Sequence, residues 1–139
     1  MFNLAPERRA KLRRNFRGLA VIVFALTAIQ PFLGAFSFFR RADSTDYTAF
    51  HEIIANALFP LALILFGLVF LARFERHLAM LIWTGLLVLA IVSQIGLGYS
   101  SRDDATLLAW HIPLGVAVFA FALVVMLLSF GLRFAGEQD

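Results

Sequence analysis

Of 139 residues, 61% are hydrophobic and 15% charged, well below the roughly 25% charge of soluble domains, so the composition points away from a water-soluble fold. The length suits one domain, and the lack of cysteine excludes disulfides and thiolate metal sites. A net charge of +3 does not indicate nucleic acid, because half of the basic residues form one block ahead of the first apolar run and act as an orientation signal.

Residues 1–17 form that basic segment. A first span is expected over 18–39, which has no charged residue and about the 20 residues needed to cross a bilayer core. It is too long for a secretory signal peptide and lacks a small-residue cleavage site. Further spans are expected over 47–72, 78–99 and 105–134, with a short tail at 135–139. Lipid offers backbone groups no partner, so each span must be helical. The joints at 40–46, 73–77 and 100–104 are short and polar, which makes successive helices antiparallel neighbours. The expected fold is all-α, an integral membrane four-helix antiparallel bundle.

Arg8, Arg9, Lys11, Arg13, Arg14, Arg17, Arg73, Arg76 and Arg133 fall on one side, against Arg40, Arg41 and Arg102 on the other. The positive-inside rule then puts both termini in the cytoplasm, in a cell inner membrane. Asp46 and Asp104 are expected as helix N-caps, and Pro31, Pro60 and Pro113 as points of bending.

Self-comparison suggests two copies of one helical hairpin. Gln30 to Gly34 and Gln94 to Gly98 both read Q-x-x-L-G near the outer ends of the first and third spans. A histidine follows on each next span, His51 and His111, and four residues beyond it stands a small residue, Ala55 or Gly115. Helical rise puts His51 roughly 7 Å and His111 roughly 10 Å below the outer helix ends. Both therefore belong to one layer, to which all four helices contribute.

Ionisable side chains inside a bilayer are functional by default. Two histidines at one depth suit heme, because the porphyrin supplies four equatorial nitrogens and needs only axial ligands. Zinc needs three or four protein ligands, and Glu52 points about 100° away from His51 round the helix. His51 and His111 are thus the expected iron ligands of one heme b per chain. Gly34, Gly98, Gly115 and Ala55 would remove bulk beside a flat ring, Gln30 and Gln94 would line it, and Arg40, Arg41 and Arg102 would pair with propionates. Small residues four apart also serve plain helix packing, and glutamines also bond between helices without a cofactor. His77, beside Arg73 and Arg76, is expected in an interfacial role.

The stretch from Gln94-Ile-Gly-Leu-Gly98 through His111-Ile-Pro-Leu-Gly115 resembles the heme A synthase family. The resemblance implies one of that family's two four-helix halves standing alone, with a histidine pair, here His51 and His111, on its second and fourth helices. It runs loosely from about Leu19 to Leu128. No arginine follows His51 in Ala49-Phe-His-Glu-Ile-Ile-Ala-Asn56, and no second histidine pair exists. Heme A synthase activity is therefore not expected.

The leading expectation is a small cytochrome or an accessory subunit of a larger respiratory or photosynthetic complex. A heme-free structural subunit is the alternative. An enzyme with an open heme position is disfavoured, because two axial histidines leave no site for a substrate.

Overall fold

The structure, a computed structural model, describes residues 5–39 and 45–131. Helix α1 spans Pro6–Phe39, α2 Thr45–Ala72 and α3 His77–Ser100. A short 3-10 turn at Ala105–Leu107 then leads into α4, Leu108–Ser129. All four helices are long and apolar enough to cross a membrane, and they pack as a four-helix bundle. The chain is a multi-pass membrane protein by this architecture. Arg40, Arg41 and Arg133 lie outside the described residues.

Neighbours pack around the ring in the order α1, α2, α3, α4 and back to α1, while the diagonal pairs do not touch along their backbones. Antiparallel succession through the short joints produces this order. It leaves α2 and α4, which carry His51 and His111, facing each other across the bundle axis.

Helix α1 has 34 residues, about 51 Å at 1.5 Å per residue, against a hydrocarbon core of about 30 Å. Its basic first turns continue the transmembrane helix as one rod, with no break at residue 17. Their arginines also carry a structural load that the charge count does not reveal. Arg13 donates to the main-chain oxygens of Ala72, at 3.3 Å, and Arg73, at 2.7 Å. Arg17 donates to Ser129 O at 2.7 Å, and its guanidinium lies 5.8 Å from the Phe130 ring centre. The carbonyls at the ends of α2 and α4 have no partner within their own helices, and cations stabilise that end of the helix dipole. The N-terminal segment therefore caps two other helices.

Helix termini are set locally. Asp104 accepts from Thr106 N at 2.9 Å and from the Thr106 hydroxyl at 2.6 Å, capping the turn before α4 as expected. Asp46 does not cap α2, because the helix already begins at Thr45 and takes Asp46 into its first turn. There its charge still suits the positive end of the dipole. The fourth helix stops at Ser129, where Gly131 at φ 80° supplies the left-handed turn that glycine adopts without strain. Arg73 ends α2 at φ 45°, a conformation that costs a residue with a Cβ.

Packing divides the bundle into two halves. Its core is built by Phe16, Val23, Leu65, Val69, Leu87 and Val125 with their neighbours, and small residues such as Ala20, Ala62 and Ala122 let the backbones approach. Thr27 and Thr84 are buried here too, each hydroxyl bonded to a carbonyl of its own helix, so neither strands a polar group. Every fully buried described residue lies at or below the level of Thr27, Leu58, Ile91 and Val118, toward the ends of α2 and α4. In the other half, above Thr27, Leu58, Ile91 and Val118, no described residue is fully buried.

Candidate functional site

The loosely packed half is where both histidines lie. His51, on the second turn of α2, and His111, on the first turn of α4, turn their rings toward each other, with centroids 6.3 Å apart and planes at 63°. Because α2 and α4 are diagonal, this contact bridges the bundle axis.

Each ring is seated on a glycine of the preceding helix. A Cβ at Gly34 would stand 3.3 Å from Cε1 and 3.6 Å from Nδ1 of His51. At Gly98 it would stand 3.1 Å from Cε1 and 3.6 Å from Nδ1 of His111. The two hairpins thus repeat one packing device almost atom for atom. These glycines sit against the protein's own imidazoles, a role that the sequence pattern does not distinguish from contact with a bound ring.

The glutamines use the repeat differently. Gln30 Nε2 donates to His51 O at 3.2 Å. Gln94 Nε2 stands 3.0 Å from where a Cβ of Gly115 would be, so the missing side chain at Gly115 makes room for an amide. Ala55, the counterpart of Gly115, has a Cβ at that place.

Four polar atoms in this layer are buried without a hydrogen-bond partner among the described residues: Nδ1 of His51, Nδ1 of His111, Oε1 of Gln30 and Oε1 of Gln94. One buried group of this kind costs about 1–3 kcal/mol. The His51 and His111 rings nonetheless lie against the backbones of Gln30 and Gln94 on the preceding helices, so the amide oxygens are the atoms left without a donor. Nδ1 of His77 is also buried and unpartnered, but it lies at the opposite end, its ring 6.3 Å from that of Phe70.

The rim is polar and was only partly legible. Arg102, expected on a propionate, forms an ion pair with Glu52 and lies 4.6 Å from the Tyr99 ring centre. Asn56 donates to Tyr99 Oη at 2.9 Å. These contacts tie α2 to α3. Ser37 and Thr48, with hydroxyls 2.5 Å apart, and the stacked Phe36 and Tyr47 rings tie α1 to α2. Asn56, Tyr99, Ser37 and Thr48 have no sequence signal beyond being polar near helix ends.

Among the described residues no three His, Asp or Glu side chains converge as a metal-holding group. The donor set is a pair of imidazoles. With metal–imidazole bonds of about 2 Å, two rings on opposite sides of one ion have centroids roughly 6 Å apart. The observed separation fits that arrangement.

The chain matches no protein-family model, no curated protein and no solved structure.

Proposed function

We propose that this chain is a membrane heme b-binding protein, with His51 and His111 as the axial ligands of one heme near the outer face. The observation that carries the reading is the opposed imidazole pair, 6.3 Å between centroids, in the half of the bundle where no described residue is fully buried. The amide oxygens of Gln30 and Gln94, buried there without a donor among the described residues, support it, since a bound group would give buried polar atoms a reason to be present. The resemblance to one half of a heme A synthase supports the same pair.

Bound heme supplies a one-electron couple. The protein's own part is to hold two imidazoles at fixed depth, seated on Gly34 and Gly98, and to exclude water with the apolar helices around them. Gln30 holds the His51 turn of α2 through its carbonyl. With one histidine pair the chain acts as an electron-transfer module, a small cytochrome or an accessory subunit of a larger membrane complex, and not as a synthase. One outer site leaves on the order of 20 Å of a ~30 Å core uncrossed, so a partner must complete any path across the membrane.

The proposed setting is a bacterial-type inner membrane with both termini cytoplasmic, supported by nine basic residues at one end against three at the other. A reporter fused after Asp139 should be active only in the cytoplasm. Activity on the outer side would reverse the assignment.

The heme-free structural subunit remains the second reading, favoured by the inner-half core, which closes without any ligand. The visible spectrum of protein purified from native membranes separates the two. A reducible low-spin heme supports the first, and tight co-purification with a complex but no heme supports the second.

A further inference from the structure

The basic residues of α1 divide between two faces. Arg13 and Arg17, one turn apart, reach the main-chain oxygens of Ala72, Arg73 and Ser129, so the ends of α2 and α4 lie near residues 13–17 of α1. Lys11 and Arg14 are exposed and stand roughly 140° and 160° round the helix from the buried Phe16, by the 3.6-residue period. Helix capping thus uses one face of the basic segment and leaves a cationic face turned away from the bundle.

The same outward face continues into the membrane. Steps of three and four residues from Lys11 pass through Arg14, Gly18, Ile22, Ala25 and Ile29, all of them exposed. A Cβ at Gly18 would meet nothing within 4 Å, so the backbone there borders open space one turn below Arg14. By helical rise Arg14 stands about 6 Å above Gly18, and Ile29 about 16 Å below it. One leaflet of a ~30 Å core is about 15 Å deep. Cations, notch and apolar stripe therefore follow one another in the order and at the spacing of the phosphate, glycerol and acyl chain of a phospholipid. Glu7 is the one acidic residue of α1, and it stands about 6 Å beyond Lys11, on the side away from the membrane.

We infer that this face of α1 binds an anionic glycerophospholipid of the leaflet at the N-terminal end of the bundle. Its phosphate and headgroup lie on Lys11 and Arg14, and its acyl chain runs along Gly18, Ile22, Ala25 and Ile29. Charge selects the occupant. Basic residues at a membrane surface attract anionic headgroups, whereas a zwitterionic lipid brings its own cation to the same place. The contact is independent of the histidine layer, which lies toward the other end of the bundle. A lipid held here braces the end of α1 whose arginines cap α2 and α4.

Native mass spectrometry of the protein in a nonionic detergent, titrated with phosphatidylglycerol or phosphatidylcholine, tests this. The parent should retain phosphatidylglycerol in preference to phosphatidylcholine. Lys11→Gln with Arg14→Gln should weaken phosphatidylglycerol binding roughly 30-fold, since each basic residue near an anionic surface contributes about fivefold. Lys11→Arg with Arg14→Lys, which keeps the charge, should bind as the parent does. Arg40→Gln with Arg41→Gln removes the same charge beyond the other end of α1 and should leave binding unchanged. Gly18→Phe keeps every charge but fills the space below Arg14, and it too should hold the lipid more weakly. Equal retention of the two lipids by the parent, equal loss in the two Gln pairs, or parent-like affinity in Gly18→Phe would overturn the inference. So would displacement of the lipid by inorganic phosphate, which would mark a site for the ion alone.

Discussion

Gly98 lies against the ring of His111 so closely that a Cβ there would come within 3.1 Å of Cε1. With any side chain at 98 the imidazole must give by a few tenths of an ångström, so the glycine makes room for the ring where it lies.

Gly98→Ala should therefore displace His111. Overpacking of this kind costs about 1–3 kcal/mol, partly offset by the gain of up to about 1 kcal/mol from alanine in a helix. Thermal unfolding and hemin titration should show weaker heme binding with stability lowered or barely changed. Gly18→Ala, which meets nothing within 4 Å, should bind as the parent does and be slightly more stable. Parent-like heme affinity in Gly98→Ala would show that the ring position is not set by this contact.

Removing Arg17 uncaps the end of α4. Arg17→Ala should lower stability by about 1–2 kcal/mol, the range of a charge-assisted bond at a helix terminus. Arg14→Ala, an exposed neighbour on the same helix, should stay within about 0.5 kcal/mol of the parent. Equal effects from the two would mean that Arg17 acts only through net charge.

The spans were legible because apolar runs of about 20 residues have one stable outcome in lipid. Asp104 was legible as a cap for a local reason, since Thr106 lies two residues away. Asp46 failed by one residue, because nothing in the sequence distinguishes Thr45 from Asp46 as the first residue of α2. The roles of Arg13 and Arg17 depend on the ends of α2 and α4, some 60 and 112 residues distant. Only the assembled bundle brings those carbonyls within reach. The same is true of Arg102, drawn to Glu52 fifty residues away. The histidine layer itself was legible, because the four-residue spacing from glutamine to glycine and the two histidines all sit at matched helical depth.

Arg73 carries a positive φ at the end of α2, which disfavours a side chain by roughly 1–2 kcal/mol. Its carbonyl, which accepts from Arg13, would survive in glycine. Arg73→Gly should thus raise stability by up to about 1 kcal/mol, the benefit being trimmed by the greater freedom of glycine in the unfolded chain. Chemical unfolding in detergent micelles measures it, and a net loss would assign the Arg73 side chain a contact that outweighs its strain.

The Asp104 carboxylate is held below the usual range by the Thr106 hydroxyl and then by the Thr106 amide. A depressed carboxylate contributes order that is complete above its unfolded pKa and is lost as pH falls through the lowered folded value. Hydrogen exchange at the Thr106 amide should accordingly accelerate only in acid beyond the ordinary aspartate range, relative to intrinsic rates. Asp104→Ala should show fast exchange at every pH. A pH-independent ratio in the parent would remove Asp104 from the cap.

The central claim is that His51 and His111 hold one heme between them, and the spectra of four proteins test it most directly. Parent protein and His77→Ala should show the same low-spin, reducible heme, because His77 lies at the other end of the bundle, well over about 20 Å away by helical rise. His51→Ala and His111→Ala should each become high-spin or lose heme. No heme in the parent, or unaltered low-spin heme after removal of either His51 or His111, would contradict the assignment.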